Sequence, residues 1–182
     1  MHLYSREPAY DGVAKSLHWL VVLLLASQFV VAWIMPGARR VTVPQGLVAL
    51  HLSIGAVIIA VVVVRLLWRW THPVPLAEDG MPPWQHRIAE ATHHGLYILL
   101  LVVPLLGWVD ASTRGWPVEL FGLVQLPALV EQGSPYGRFI GDLHSFFSYT
   151  LLTVVGLHVL AVLYHRLVLR DAVLQRMLPG KG

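Results

Sequence analysis

The amino-acid sequence predicts an all-α integral membrane protein, a single domain over residues 1–182 built as a bundle of four transmembrane helices. Hydrophobic residues make up 56% of the 182 positions and charged residues only 13%, whereas soluble domains carry about 25% charged residues. About 20 apolar residues suffice to cross a bilayer. Four runs approach or exceed that length, at residues 17–35, 47–68, 93–111 and 144–168. Their apolar residues are continuous rather than alternating, which excludes a membrane barrel.

Each run has recognisable ends. Asp11 can cap the first helix, and "MPGARRVTVPQG" (residues 35–46) ends it with proline and glycine. The second run ends in "RLLWRW" (residues 65–70), whose arginines and tryptophans suit the headgroup region. The third run is interrupted by Pro104, which removes one helical hydrogen bond. The segment at residues 112–138 connects to the fourth run, and we expect it to lie on the bilayer surface.

The basic residues predict the orientation. Nine of the thirteen fall on the side of the two termini, and four fall on the other side. The nine are Arg6, Lys15, Arg65, Arg69, Arg87, Arg166, Arg170, Arg176 and Lys181, and the four are Arg39, Arg40, Arg114 and Arg138. Because cytoplasmic loops carry the excess of Lys and Arg, we expect both termini in the cytoplasm. The positive charge therefore reports topology and gives no reason to expect nucleic acid. The first run is too long for the apolar core of a signal peptide, so we expect no cleavage.

Cysteine is absent from the chain. Its absence excludes disulfides, thiolate-bound iron–sulfur clusters and the covalent attachment of c-type haem. Any resident cofactor must be held by other side chains.

Four of the ten histidines lie within the apolar runs at two depths. His144 and His158 are fourteen residues apart, which in a helix is a rise of about 21 Å and a rotation of about 1400°, close to four full turns. The topology places His51 at the depth of His144, near the outer face, and His18 at the depth of His158, towards the inner face. Polar side chains inside a membrane are costly and are by default functional. Two imidazoles from facing helices can supply both axial ligands of a haem iron.

The other histidines are ambiguous. His93 and His94 open the third run at the inner interface, where they could contact a haem propionate or a quinone. His165 follows His158 by two turns on the same face and is a candidate proton carrier. The remaining three, His2, His72 and His86, fall in tails or loops and are expected to be solvated.

Several segments together make the chain resemble the bacterial cytochrome b561 family. They are "SLHWLVVLLL" (16–25), "LHLSIGAVIIAVVVVRLLWR" (50–69), "HHGLYILLLVVPLLGW" (93–108), "RGWPVELFGLVQLP" (114–127) and "LHSFFSYTLLTVVGLHVLAVLYH" (143–165). The resemblance implies a multi-pass protein of the bacterial inner membrane whose helices enclose two haem b groups. It also implies that His18 and His158 bind the inner haem and that His51 and His144 bind the outer haem.

Among stand-alone members, the chain looks most like the type that oxidises superoxide at the outer face and reduces membrane ubiquinone. That resemblance implies an oxidoreductase. Arg39, Arg40, Arg114 and Arg138 are the residues available to steer an anionic donor, and Arg39 and Arg40 are the chosen donor-side candidates. His165 and His93, with His94 beside it, are candidates for a quinone or proton path.

Two other functions remain open. The same bundle could anchor a hydrogenase or dehydrogenase partner and pass electrons between that partner and the quinone pool. A metal or proton transporter with histidine relays is disfavoured because Asp and Glu are nearly absent from the apolar runs, and it predicts a colourless protein.

Overall fold

The computed structural model describes residues 10–37, 43–72 and 82–178. It contains four long helices, each long and apolar enough to cross a membrane. These helices are α1 (Gly12–Ile34), α2 (Leu47–Thr71), α3 (Pro83–Thr113) and α4 (Gly137–Tyr164), and α4 continues as a π-helical segment, His165–Leu169. The predicted fold class, an all-α membrane bundle of four helices, is confirmed.

The helices pack in the order of the chain, α1 on α2, α2 on α3 and α3 on α4. Ile58, Val62, Leu100 and Leu151 lie at the centre of the packed interior. Large apolar side chains cover much of the outside of the bundle, Leu23 and Leu160 among them. A soluble protein rarely exposes such a surface, whereas lipid covers it without cost.

Two helices begin well before their apolar runs. Helix α3 starts at Pro83 instead of near residue 93, so His93 and His94 do not open it but lie about three turns inside. His86, expected in a loop, lies on its first turns. Proline is favoured at the first helical position, and the polar residues after it form helix without adding hydrophobicity. Helix α4 likewise starts at Gly137 instead of near residue 144. Pro104 is accommodated within α3, which continues beyond it to Thr113.

One end of the bundle, called here the termini end, gathers both described ends of the chain. Asp11 caps α1 by accepting a hydrogen bond from the backbone N–H of Ala14, and its carboxylate also accepts one from Trp68 Nε1 on α2. Trp19 Nε1 donates to the backbone carbonyl of Met177 at 2.8 Å. Helix α1 therefore contacts both the last turns of α2 and the C-terminal segment.

The opposite end, called here the hairpin end, carries a two-stranded antiparallel hairpin between α3 and α4. Its strands are β1 (Val118–Leu120) and β2 (Val124–Leu126), with Glu119 paired to Gln125. Trp116 and Val118 are buried in a cluster with Val48 of α2 and Ala111 of α3. The segment expected to lie flat on the surface is thus folded against the helices.

Candidate functional site

The first histidine pair lies between α2 and α4 at the hairpin end. The ring centres of His51 and His144 are 6.2 Å apart, and the ring planes are perpendicular. One metal ion bound between two imidazoles needs a separation of this order, because each metal–nitrogen bond is about 2 Å and each ring adds its own radius. The two residues that the sequence pairs at this depth are therefore brought together.

A backbone carbonyl of α3 fixes the orientation of His144. Its Nδ1 lies 2.9 Å from the carbonyl oxygen of Val103. A carbonyl only accepts, so Nδ1 must carry the proton and donate. Nε2 then keeps its lone pair for a metal ion, and the hydrogen bond raises its basicity.

Gly107 allows the imidazole of His144 to approach helix α3 closely. A Cβ added there would lie 3.0 Å from His144 Cε1 and 3.2 Å from Nδ1, tighter than ordinary van der Waals contact. The imidazole therefore packs directly on the backbone of α3, four residues after Val103 and one helical turn along the same face.

Gln28 of α1 is a site residue that the sequence interpretation missed. Its Nε2 lies 3.2 Å from His51 Nε2 and donates to the backbone carbonyl of His51 at 3.0 Å. His51 Nδ1 and Gln28 Oε1 are buried without a hydrogen-bond partner among the described residues. A single amide inside an apolar run is costly in a membrane, and that cost was the available signal. Because the amide NH₂ of Gln28 only donates, His51 Nε2 is the accepting nitrogen, and it carries the lone pair that a haem iron would take.

The second histidine cluster lies at the termini end. The ring centres of His93 and His158 are 5.5 Å apart, with an angle of 68° between the planes. His18 is not in ring contact with either of them and instead makes an edge contact with Trp19. The sequence pairs His158 with His18 alone, whereas the structure brings His93 closest to its ring.

Arg65 places a positive charge beside this cluster. It lies near all three histidines, and its Nε donates to the hydroxyl of Tyr97 at 3.0 Å. Arg65 and Tyr97 also line a pocket that opens towards Trp68 and Arg69. A guanidinium at this position suits a carboxylate such as a haem propionate.

The remaining candidates differ in their contacts. His165 Nδ1 is 2.5 Å from a carboxylate oxygen of Asp171, and both side chains are largely buried. His94 Nδ1 instead contacts the carbonyl of Glu90 on its own helix. His72 stacks on Trp68, with ring centres 3.7 Å apart.

The arginines at the hairpin end are not equivalent. Arg114 Nε donates to Asp110 at 2.9 Å, and its guanidinium also lies over the ring of Trp116. Arg138 is exposed at the start of α4. Arg39 and Arg40 lie outside the described residues.

Within the described ranges, no three His, Asp or Glu side chains converge to hold a bare metal ion. Pairs of histidines from different helices are the arrangement that is present. A haem iron can take two such imidazoles, because its macrocycle supplies the other ligands. The residues at the hairpin end therefore fit a haem, and those at the termini end offer three imidazoles for one.

Comparison with known proteins agrees with this chemistry. The model of the family described as prokaryotic cytochrome b561 matches residues 9–180. Cytochrome b561 homolog 2 of Escherichia coli (strain K12) is 26% identical over 183 aligned positions, which cover 100% of this chain and 97% of that protein. Probable superoxide oxidase CybB of Yersinia pestis is 27% identical over 175 positions, covering 94% and 97%. Cytochrome b562 of Cereibacter sphaeroides is 26% identical over 184 positions, covering 96% and 98%. With four membrane-length helices, paired intramembrane histidines and a family match over nearly its whole length, the chain belongs to the prokaryotic cytochrome b561 family.

Proposed function

We propose that the protein holds two haem b groups and carries electrons across the membrane from superoxide at the hairpin end to ubiquinone. The family to which it belongs implies b-type haem and electron transfer in a bacterial membrane. The observation that carries the finer proposal is the division of the intramembrane histidines into two clusters, with His144 and His158 of α4 in different ones. Fourteen residues of helix separate them by about 21 Å.

The proposed ligands are His51 and His144 at the hairpin end, and His18 and His158 at the termini end. A haem with two histidine ligands supplies one-electron transfer and has no open position for oxygen. Hydrogen bonding of His144 to Val103 keeps Nε2 available, and Arg65 offers a counter-charge at the other cluster. His93 is the alternative partner of His158 because its ring is in contact with it.

The orientation is proposed from the charges at the two ends of the bundle. In the described ranges, seven basic residues occupy the termini end or the helix turns next to it, and two occupy the hairpin end. The seven are Lys15, Arg65, Arg69, Arg87, Arg166, Arg170 and Arg176, and the two are Arg114 and Arg138. The positive-inside rule then puts the termini in the cytoplasm and the hairpin end of the bundle on the periplasmic side.

Superoxide is proposed as the donor because a full-length relative is named a probable superoxide oxidase. An anionic donor would be attracted by positive charge at the hairpin end. Arg138 is the described candidate for this steering, since Arg114 is neutralised by Asp110. On the basis of the sequence, Arg39 and Arg40 are also proposed to attract the donor.

Ubiquinone reduction is proposed to occur in the membrane near the termini-end cluster. The overall reaction oxidises two superoxide ions to two O₂ and reduces one quinone, which takes up two electrons and two protons to become the quinol. His165 is proposed to pass those protons, and the contact of its Nδ1 with Asp171, which leaves Nε2 for exchange, supports this role. His93 is the second candidate for this path.

The test is haem reduction by superoxide in the purified protein. An enzymatic superoxide source should reduce the haem, which is followed by the absorption bands of reduced b-type haem. Added ubiquinone should reoxidise the haem, and superoxide dismutase should block its reduction. Arg138→Glu should slow the reduction severalfold at low salt, whereas Arg87→Glu at the other end should not, because steering depends on local charge. If superoxide does not reduce the haem, the proposed donor is contradicted. That result would favour a partner subunit as the source of electrons.

A further inference from the structure

We propose that the hairpin (residues 118–126) is a re-entrant element whose tip inserts between the lipid acyl chains of the leaflet at the hairpin end. The proposed contact is between the turn at residues 120–124 and lipid. It rests on the depth of the tip, its direction, the chemistry of the turn and the exposure of its side chains. It does not depend on the proposed electron donor or acceptor.

The depth follows from Ser53 of α2. The Ser53 hydroxyl accepts a hydrogen bond from the backbone N–H of Phe121 at 3.2 Å and lies 2.6 Å from the carbonyl oxygen of Glu119. Ser53 is the seventh residue of α2, which begins at Leu47, so it lies about 9 Å below the end of the helix. No Asp, Glu, Lys or Arg occurs from Leu47 to Val64, and hydrocarbon needs about 20 residues of helix. Ser53 therefore lies within the apolar stretch of α2, near its outer edge.

The hairpin points towards the middle of the bilayer. Its base packs near the helix ends, where Val118 shares a buried cluster with Val48 and Ala111. Its tip reaches Ser53, five residues or about 7.5 Å further down α2. After β2, the backbone N–H of Leu129 donates to the hydroxyl of Ser112 near the end of α3. The chain thus descends along β1 and ascends along β2.

The turn carries apolar side chains where a hairpin in water usually carries Asn and Gly. Leu123 N–H bonds to the carbonyl of Leu120 at 3.0 Å, and Phe121 and Gly122 both have positive φ, 52° and 73°. Such turns favour Asn-Gly or Gly-Gly at these two positions. A bulky residue with positive φ is unusual, and Phe121 retains that conformation with 58% of its surface exposed.

The neighbouring side chains limit how deep the hairpin can go. Leu123 is 86% exposed and Val124 53% exposed, so together with Phe121 the tip presents three large apolar side chains that are each more than half exposed. Glu119 and Gln125 form an exposed polar pair in the middle of the strands. A carboxylate is costly in hydrocarbon. Because the backbone of Glu119 lies beside Ser53, the polar pair lies at the edge of the hydrocarbon, and only the tip enters the acyl chains.

Single cysteines test this arrangement, since the natural chain has none. Leu123→Cys at the tip is compared with Gln125→Cys two residues away and with Leu23→Cys, an exposed position within α1. Each full-length variant is reconstituted at one chain per lipid nanodisc and treated with a membrane-impermeant maleimide, which reacts with the thiolate in water. Labelling in SDS shows that every thiol is intact.

We expect Leu123→Cys to react at least about tenfold more slowly than Gln125→Cys and to resemble Leu23→Cys, because a thiol in hydrocarbon rarely ionises. A smaller difference would overturn the proposal. One chain per nanodisc excludes a second copy as the cover, so a tip normally buried by another copy would react at the aqueous rate. That outcome also counts against lipid.

Discussion

His144 donates a hydrogen bond to Val103 and packs on Gly107, so one turn of α3 fixes both the tautomer and the position of an imidazole on α4. Ligands of metals commonly depend on such contacts for orientation. The histidine itself could be predicted as a ligand from its spacing. The carbonyl and the glycine could not, because their role depends on how α3 and α4 pack.

Gly107→Ala should disturb the hairpin-end haem. Its Cβ would lie 3.0 Å from the His144 ring, and overpacking of this kind costs about 1–3 kcal/mol. We expect one of the two haem potentials to shift, or about half of the haem to be lost, when the purified variant is titrated. Gly95→Ala on the same helix is the control, because a Cβ there meets no atom within 4 Å. Equal effects of the two variants would refute the proposed contact.

Substitutions of His18 and His93 separate the two possible partners of His158. We expect His18→Ala to lose the termini-end haem and His93→Ala to keep it with a shifted potential, because the proposed ligand is His18. The measurement is the haem-to-protein ratio with a redox titration of each variant. The reverse result would assign the ligand to α3. The sequence alone did not favour His93 as a haem ligand, because it predicted that His93 lies at the end of a helix.

At the scale of the elements, hydropathy located all four helices but not their ends. Residues 84–92 of α3 and 138–142 of α4 contain charged side chains, so their turns extend the helices without extending the apolar runs. Proline at position 83 was the available signal for α3. The hairpin was harder to predict, because its turn lacks the usual Asn-Gly and its docking on Ser53 is a long-range contact.

The cap of α1 gives a prediction about stability. Asp11→Ala should destabilise the protein by about 1 kcal/mol, because it removes the bond to Ala14 N–H and the bonds to Trp68. Thermal unfolding in one detergent measures the effect. Ser16→Ala is the control, since its exposed hydroxyl bonds to the carbonyl of Gly12 on the same turn.

The effect of Asp11 should depend on pH. The hydrogen bond from Ala14 N–H, with a smaller contribution from Trp68, holds the pKa of Asp11 below its ordinary value although burial opposes this shift. A carboxylate with a depressed pKa stabilises the fold above its unfolded pKa of about 3.9 and loses that contribution as the pH falls through the folded pKa. The difference between wild type and Asp11→Ala should therefore be constant from about pH 5 to 8 and shrink in more acidic buffer. A difference that grew on acidification would contradict this account.

For the whole molecule, composition predicted the membrane class and the family resemblance predicted the histidine sites. The structure adds the contacts among the sites, of which Gln28 with His51 is the clearest case. The orientation of the bundle in the membrane is proposed from charge alone.

Reporter fusions test that orientation. A fusion after Glu131, in the hairpin-end loop, should report the periplasm, and a fusion after Leu178 should report the cytoplasm, because the basic residues concentrate at the termini end. A third fusion after Arg40 should match the first. A cytoplasmic signal from Glu131 would reverse the proposed side of electron entry.

The central claim is that one chain holds two haems and that α4 supplies a ligand to each. The most direct measurement is the haem extracted by acid–acetone per polypeptide, for the wild type and for His144→Ala and His158→Ala. We expect all haem to be extractable, because the chain has no cysteine for covalent attachment. The expected ratios are about two for the wild type and about one for each variant, since each substitution removes one axial ligand. A wild-type ratio of one, or a variant that retained two haems, would contradict the account.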